Sequence, residues 1–466
     1  MPPPNILFIF SDEHDPAVTG CYGDSLVSTP NLDRLAAEGV TFDACYCNSP
    51  LCVPSRLSLT AGKYISRVGA WNNMSKLPSD DFPSLPRQLR QCGYTPYLCG
   101  KQHYAPDRRY GFEDLIPEMN RSKKNGRGHR LEMSAETARK GRELWDRRAA
   151  EIYPGDHSRT LDHDRVVTER ATRFLSEHSP QDGPFFLHAG YVAPHFPMIA
   201  PEEIYAQYKG KVPPPEIPDG YLEQLLPNYR ALRCGFGLED IDPETVQKGR
   251  DLYWALTDWF DREVGKLLEA LHSREDADNT LIIYSSDHGE NKGDHGLWWK
   301  NCLYEHGARV PLIVSWPARW TGGQRRSEVC SLVDLVQTIV DLAGGSCPED
   351  WDGDSLTPLL DDPRSSWKDY AVSEYYGHNV FSGMTMLREG DWKYIYHNTS
   401  ASGHPPAREL YNLRNDPREF QNLANNPEQQ DRVRSMHQKL VRELGEEPDA
   451  IERRCLDDFQ KAGTGE

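Results

Sequence analysis

The chain has 466 residues, more than one hydrophobic core usually accommodates, so a large domain accompanied by a smaller one is expected. Hydrophobic residues make up 38% and charged residues 27%, which predicts a soluble, globular protein and excludes a disordered one. Because 53 Lys and Arg stand against 71 Asp and Glu, the net charge is −18, which disfavours nucleic acids and anionic membranes as general partners.

The first predicted element is a strand from Asn5 to Phe10, a short continuous apolar run that is typical of a strand buried on both faces of a parallel sheet. No basic segment precedes it and acidic residues follow it, so we do not interpret it as a signal peptide. No window holds the roughly 18 apolar residues that a bilayer span needs. We therefore predict a cytoplasmic chain, or a periplasmic or secreted one if a leader has been removed.

Helices and strands alternate through the following residues. A helix is predicted from Thr29 to Gly39, with Pro30 near its start and Gly39 at its end. Further strands are predicted at 94–99, 184–189, 280–284 and 310–315, and long helices at 164–177 and 248–272. This alternation predicts an α/β domain whose large, mostly parallel central sheet is flanked by helices.

The pattern changes after about Pro363. Short strands are predicted at 370–376, 383–388 and 392–396, followed by a helix at about 427–444. We therefore predict a catalytic domain at residues 1–363 and a C-terminal α+β subdomain, with a small antiparallel sheet and a helix, at residues 364–466.

Eleven cysteines without regular spacing do not indicate a disulfide scaffold, and no further ligands complete a zinc site with Cys45, Cys47 and Cys52. Cys52 belongs instead to a Cys-x-Pro-Ser-Arg motif that ends in Arg56. Pro54 suits the first turn of a helix, which would place Cys52 at a helix N-terminus that favours an anion. The alternative is a buried structural cysteine, because this residue type is among the most buried.

This motif, followed by a helix and Gly62, resembles the modification motif of the formylglycine-dependent sulfatases, which belong to the alkaline phosphatase superfamily. The resemblance implies an alkaline-phosphatase-like fold and oxidation of Cys52 to formylglycine by a formylglycine-generating enzyme. It also implies that the hydrate of this aldehyde is the nucleophile. The C-terminal segments 390–395 and 409–417 resemble the end of sulfatase domains as well, so the similarity extends over most of the chain.

Acidic residues follow two of the predicted strands: Asp12 and Glu13 the first, and Asp287 with His288 the strand at 280–284. Carboxylate oxygens with one imidazole suit Ca²⁺, Mg²⁺ or Mn²⁺. The resemblance implies that these four residues and modified Cys52 hold one ion, usually calcium. Glu13 departs from the commoner aspartate, which puts its ligation in doubt.

Basic residues follow the other strands: Lys101 and His103 after 94–99, His195 after 184–189, and Lys300 in the loop after 280–284. The resemblance implies that Lys101 and His103 lie beside the formylglycine, and that His195 and Lys300 contact the sulfate and the leaving oxygen. A sulfuryl group in transfer carries negative charge that such cations stabilise, as Arg56 also would. We assign the base role to His103 and the acid role to His195 or Lys300.

The substrate is less well defined. The segments around Cys52 and Lys101 resemble the choline-sulfatase-like bacterial branch, but a sulfated sugar or an aryl sulfate fits the sequence too. Candidate pocket residues are Trp298, Trp299, Tyr375, Tyr376, His378 and Asn379. A basic segment at 121–130 could attract a polyanion, although a solvated surface loop explains it as well.

The sequence is compatible with two other functions. A phosphonate monoester or phosphodiester hydrolase of the same superfamily would share the nucleophile and the metal. A non-catalytic binding protein could keep the fold, but the complete group of motif residues argues against it. The sequence leaves open whether the chain forms a homo-oligomer.

Overall fold

The computed structural model describes residues 2–116 and 130–464. Within these residues, one large sheet occupies the centre of the fold. Its strands are β1 (Asn5–Asp12), β2 (Val40–Tyr46), β3 (Thr95–Gly100), β4 (Glu113–Asp114), β5 (Phe185–Pro194), β6 (Thr280–Ser286), β7 (Arg309–Ser315) and β8 (Gln324–Ser331). Every residue of β1 is buried, as its uninterrupted apolar run predicts.

The sheet order is β4-β3-β5-β1-β6-β7-β2-β8. All neighbours pair in parallel except β7, which runs antiparallel to both β6 and β2. The predicted, mostly parallel sheet is therefore confirmed. The sequence did not predict β2, β4 or β8, and the apolar run of β7 gave no sign of its direction.

Helices cover both faces of this sheet and follow the second sheet. They are α1 (Pro30–Ala37), α2 (Cys52–Ala61), α3 (Ile65–Val68), α4 (Leu85–Gln91), α5 (Ala135–Ala149), α6 (Arg159–Glu177), α7 (Glu202–Tyr208), α8 (Pro227–Phe236), α9 (Pro243–His272), α10 (Glu305–Ala308), α11 (Leu332–Leu342), α12 (Thr357–Asp361), α13 (Gln430–Leu444) and α14 (Pro448–Thr464). None of the helices in the described ranges is long and apolar enough to cross a membrane.

Every residue of helix α2 is buried, so the surrounding side chains hold the helix in position at both ends. It ends at Gly62, whose φ of 65° is a left-handed conformation that glycine adopts without a steric penalty. A Cβ at this position would lie 2.3 Å from the Trp351 ring. Glycine at position 62 therefore lets the helix stop against Trp351, and this fixes the position of Cys52 one helix length away.

A second, antiparallel sheet follows the large one. Its strands are β9 (Tyr370–Tyr375), β10 (Met384–Glu389), β11 (Trp392–His397) and β12 (Ala407–Asn412), in the order β12-β11-β10-β9. The small sheet is as predicted, although β12 and α14 were not foreseen. Lys393 on β11 is fully buried and pairs with Glu305 at 2.6 Å and Glu419 at 2.7 Å, which ties this sheet to α10. The boundary at residue 363 stays a prediction.

Candidate active site

Polar side chains gather where four neighbouring strands of the large sheet end. Strands β3, β5, β1 and β6 lie side by side and run parallel. Asp12 ends β1, Lys101 follows β3, His195 follows β5 and Asp287 follows β6. Because the carboxyl ends of parallel strands meet at one edge of a sheet, residues that are far apart in the sequence come together there.

Cys52 is the first residue of α2, and only 2% of it is exposed. Asn73 accepts a hydrogen bond from the Val53 N–H at 3.0 Å, which satisfies one of the free N–H groups at this helix start. The Cys52 Sγ lies 3.3 Å from His288 Nε2 and 3.9 Å from Asp12 Oδ1. The helix N-terminus therefore points the thiol at the ends of β1 and β6.

Arg56 binds both of the carboxylates that flank Cys52. Its Nε donates to Asp287 Oδ2 at 2.9 Å and its Nη2 donates to Asp12 Oδ2 at 3.1 Å, with all three side chains fully buried. Lys101 also pairs with Asp12 Oδ2. The remaining oxygens lie near His288 Nε2, at 3.8 Å for Asp12 Oδ1 and 3.5 Å for Asp287 Oδ1.

These contacts leave a compact group of possible metal ligands. Asp12, Cys52, Asp287 and His288 each offer one ligand atom, and the four atoms lie within 4.8 Å of one another. Two carboxylates, one imidazole and an oxygen in place of the sulfur would be a suitable donor set for a divalent cation. The residues of this chain therefore fit the divalent ion that the resemblance implies.

The ligation predicted for Glu13 stays a prediction. Its carboxylate lies outside the four-residue group around Cys52 and forms, with Asp12 and His195, a second group that could hold a metal ion. Glu13 Oε1 pairs with Lys300 Nζ at 2.5 Å, and Glu13 Oε2 lies 3.5 Å from His195 Nε2. The Lys300 ammonium therefore binds this carboxylate, and the Glu13 N–H donates to Asp287 Oδ1 at 3.2 Å.

The predicted basic residues lie on the same side of the sheet. Lys300 Nζ is 3.0 Å from His195 Nε2, and the His195 Nδ1–H donates to the Phe196 carbonyl. This assignment leaves Nε2 as the acceptor toward Lys300. His103 forms a hydrogen bond with the Cys52 thiol.

Two of these residues hold unusual backbone conformations. Glu13 has a φ of 65° and His103 a φ of 60°, both in the left-handed region that side chains other than glycine disfavour. Such strain persists only where the surrounding structure imposes it, and it concentrates at functional sites. Both conformations occur just past strand ends, at the edge of the sheet where the polar side chains gather.

The electrostatics of the cluster favour an anion at position 52. Burial raises the pKa of the Cys52 thiol, but the charges of Lys300 and His288 outweigh burial and place that pKa well below its usual value. For His288, burial lowers the pKa, but Asp287 and Cys52 raise it to about 9. For Asp287, burial raises the pKa, against the opposing charge of Arg56.

A cavity of about 1050 Å³ opens onto Cys52. The predicted pocket residues Trp299, His378 and Asn379 line it, together with Lys101, His103, His195 and Lys300. These residues were foreseen because they follow strands or stand in the loop after β6.

The predicted pocket residue Tyr376 is a correction, because it does not line this cavity. Its side chain is fully buried, packs edge-on against Trp71 and places its hydroxyl 3.3 Å from that of Thr385. Tyr375 is also buried, and its hydroxyl donates to Asn301 Oδ1 at 3.0 Å. Trp298 packs against Trp145 and likewise lies outside the lining.

Sequence reasoning missed one wall of the cavity, formed by Arg147, Arg148, Glu151, Arg159 and His163 of α5, α6 and their connection. No motif marks these residues, because they resemble the solvated charged face of any surface helix. The paired arginines at 147 and 148 were the one available signal. Of the basic segment at 121–130, only Arg130 is described, and it pairs with Glu452 and donates to the Tyr376 carbonyl at 2.7 Å.

A buried thiol beside a group of possible metal ligands and several cations is the arrangement expected of one class, the metal-assisted hydrolases of negatively charged esters. The family model described as "Sulfatase" matches residues 4–346, most of the chain, and the chain therefore belongs to the sulfatase family. A second model, "N-sulphoglucosamine sulphohydrolase, C-terminal", matches residues 293–446. The protein is a sulfuric ester hydrolase, as its motifs predicted.

Characterised relatives agree with this assignment. The chain is 29% identical over 451 residues to a choline-sulfatase of Rhizobium meliloti, covering 91% of this chain and 83% of that protein. It is 27% identical over 472 residues to an arylsulfatase of Clostridium perfringens, covering 95% and 94%.

Solved structures confirm the alkaline-phosphatase-like fold. A phosphonate monoester hydrolase of Agrobacterium radiobacter superimposes with a TM-score of 0.75 at 22% identity, covering 95% of each chain. A protein solved in complex with its substrate, D-glucosamine-2-N,6-O-disulfate, gives a TM-score of 0.75 at 24% identity, covering 96% of this chain and 99% of the other.

Proposed function

We propose that Cys52, after oxidation to formylglycine, is the nucleophile that releases sulfate from a sulfate monoester. The observation that carries this proposal is the position of its Sγ, at a buried helix N-terminus, 3.3 Å from His288 Nε2 and open to the cavity. The aldehyde hydrate supplies one hydroxyl to attack sulfur and a second whose proton loss returns the aldehyde and expels sulfate. A thiol or serine ester would need water to attack sulfur again.

The side chains around Cys52 support the charge movements of this reaction. Lys101 and Lys300 line the cavity next to Cys52, where their charges would stabilise the oxygens of the transferring sulfuryl group. His103, which hydrogen-bonds position 52, would remove the proton of the second hydroxyl. The leaving oxygen would take its proton from the His195–Lys300 pair, whose nitrogens lie 3.0 Å apart.

We propose that Asp12, Asp287, His288 and the oxidised Cys52 hold the divalent ion, with calcium as the expected metal and Mg²⁺ or Mn²⁺ as alternatives. When bound, the ion would act as a Lewis acid on the ester's sulfate oxygens and on the hydrate. Arg56 would hold the two carboxylates in place through their other oxygens. The substrate would be a small-molecule or saccharide sulfate ester, and a formylglycine-generating enzyme would mature the protein.

A peptide mass and a turnover assay test the proposal together. The chain is produced with a formylglycine-generating enzyme, digested with trypsin and weighed at the peptide Leu35–Arg56. We expect a loss of about 18 Da, the difference between cysteine and formylglycine. The matured protein should hydrolyse an aryl sulfate, Cys52→Ala should not, and Cys455→Ala, which removes a distant buried cysteine, should. A peptide that holds only thiol alongside active enzyme would contradict the proposed nucleophile.

The main alternative is a phosphonate monoester or phosphodiester hydrolase, because a phosphonate monoester hydrolase is among the solved structures that share the fold. Turnover of an aryl sulfate is compared with that of the matching aryl phosphonate. We expect a higher kcat/KM for the sulfate. A preference for the phosphonate by orders of magnitude would favour the alternative.

A further inference from the structure

The wall of the cavity formed by α5 and α6 is cationic, although the protein as a whole carries a net charge of −18. Arg147, Arg148 and Arg159 line it, and Glu151 is the carboxylate among the described lining residues. None of the three guanidinium groups has a described carboxylate within 4.0 Å, the limit for an ion pair. Lys101 and Lys300, by contrast, already pair with Asp12 and Glu13.

Arg148 is held next to the reacting groups. Its guanidinium carbon lies 4.0 Å from the centre of a Trp299 ring and 5.5 Å from that of Phe196. Trp299 directly precedes Lys300 in the chain, and Phe196 directly follows His195. The Trp299 backbone N–H donates a hydrogen bond to the Glu290 carboxylate. Stacking on two rings fixes a guanidinium in advance, as recognition of a planar or tetrahedral anion requires.

Two features distinguish this wall from an ordinary charged helix surface. The last turn of α5 favours Arg147 and Arg148 through the helix dipole, but Arg159 begins α6, where the dipole disfavours a cation. His163 is 2% exposed and lines the same wall. Its Nδ1 is bonded to Asp164 at 2.7 Å, while its buried Nε2 has no hydrogen-bond partner among the described residues.

We propose that this wall, with Arg148 at its centre, binds a second anionic group of the substrate, a carboxylate or a further sulfate beside the sulfate that is cleaved. The inference rests on the proposed function and narrows its substrate to acidic sulfated saccharides. Guanidinium groups bind both kinds of anion through paired hydrogen bonds. A quaternary ammonium head such as that of choline sulfate would instead meet three positive charges.

Matched substrates test this directly on the matured, metal-loaded enzyme. The pairs are glucose 2-sulfate with glucuronate 2-sulfate, and N-acetylglucosamine 6-sulfate with glucosamine-2-N,6-O-disulfate, alongside choline sulfate and 4-nitrophenyl sulfate. In one of the two pairs, we expect the ester with the second anion to show at least a tenfold higher kcat/KM than its partner. The pair that shows this difference identifies the second anion as a carboxylate or as a sulfate. Choline sulfate should be the poorest ester.

Variants separate recognition from chemistry. Arg148→Gln should remove the tenfold preference, because it should lower kcat/KM for the doubly charged ester far more than for its singly charged partner, and Arg148→Lys should restore part of the preference. Arg139→Gln, which neutralises an exposed arginine of the same helix, should behave as wild type. Equal losses on all substrates for Arg148→Gln would overturn the proposal.

Binding to the inactive Cys52→Ala variant, measured by calorimetry, gives a readout that does not depend on turnover. Tighter binding of the doubly charged esters, lost with Arg148→Gln, would support the subsite even if the proposed nucleophile were wrong. Equal affinity for all esters, or an affinity for choline sulfate that matches theirs, would overturn it. Absence of turnover with intact selective binding would refute the proposed function alone.

Discussion

At the scale of single residues, the site depends on two carboxylates, each of which contacts Arg56 through one oxygen and faces His288 with the other. Asp12 and Asp287 each give Oδ2 to Arg56 and keep Oδ1 near His288. An arginine that holds both carboxylates fixes their separation and compensates part of their mutual repulsion. Loss of one carboxylate should therefore affect the cation and the arrangement of the other ligands together.

Asp287→Asn should weaken calcium binding and lower aryl sulfate turnover by about 100-fold or more, because a charged ligand becomes neutral. The measurement is turnover together with the Tm over a calcium titration, since a bound ion stabilises the folded state. Wild type should gain Tm with calcium, and the variant should gain little at the same concentrations. Asp258→Asn, at a buried aspartate that pairs with Arg262 away from Cys52, is the control and should retain the calcium response. An unchanged calcium response in Asp287→Asn would remove Asp287 from the ligands.

Most of this residue group was predictable from the sequence, and the reason is topological. Asp12, Lys101, His195 and Asp287 all follow parallel strands, so chain order alone brings them to one edge. The direction of an individual side chain was not predictable. Tyr376 directly follows β9, and its ring packs against Trp71 in the core, while His378 and Asn379 two and three residues later reach the cavity.

At the scale of elements, helix α2 connects the fold to the chemistry. Cys52 is at its first residue and Gly62 follows its last. The motif predicted this helix correctly because Pro54 and Gly62 mark its two ends. The cationic wall of α5 and α6 was not predictable, because the stacking of Arg148 on Trp299 joins residues 151 positions apart through the tertiary structure alone.

Gly62→Ala tests how firmly α2 is held. Alanine at position 62 would have to adopt the left-handed backbone conformation, which costs about 1–2 kcal/mol. Its Cβ would also lie 2.3 Å from the Trp351 ring. Gly210→Ala is the matched control, because Gly210 has a φ of 69° and nothing within 4 Å of its would-be Cβ. Urea unfolding should show a clearly larger loss of unfolding free energy for Gly62→Ala. Equal losses would mean that Trp351 yields easily and does not position the helix.

At the scale of the whole molecule, net charge and local charge have opposite signs. A net charge of −18 disfavours anionic partners at long range, yet exposed charges more than about 8 Å apart are largely screened at physiological salt. Inside the cavity the nearby arginines and lysines dominate. Composition gives the net charge but could not predict the cationic cavity, because charge at a site depends on which side chains the fold brings together.

The stability of the whole fold should fall in acid partly through His188 in the central sheet. His188 is 1% exposed among Phe8, Phe10 and Phe112, and burial, with a contribution from Arg56, lowers its pKa to about 3. In the unfolded chain His188 takes up a proton near pH 6.5, whereas in the folded chain it stays neutral down to about pH 3. The contribution of neutral, buried His188 to the free energy of unfolding is therefore fully present above pH 6.5. It is lost as the pH falls from 6.5 toward 3, by up to about 1.4 kcal/mol per pH unit.

Urea unfolding of wild type and His188→Phe between pH 7 and pH 4 checks this pH dependence. The variant keeps an aromatic ring but cannot titrate, so its free energy of unfolding should fall less steeply. His157→Phe, at an exposed histidine, should follow the wild-type slope. Parallel slopes for wild type and His188→Phe would show that His188 does not contribute to acid unfolding.

The central claim is that an oxidised Cys52 and a divalent cation share one pocket, and a crystal structure of the matured protein grown with calcium tests it most directly. We predict density for a hydrate carbon with two oxygens at position 52. We also predict an anomalous peak for calcium within coordination distance of Asp12, Asp287 and His288. An unmodified thiol in active crystals, or a calcium peak elsewhere with none beside these residues, would contradict the account.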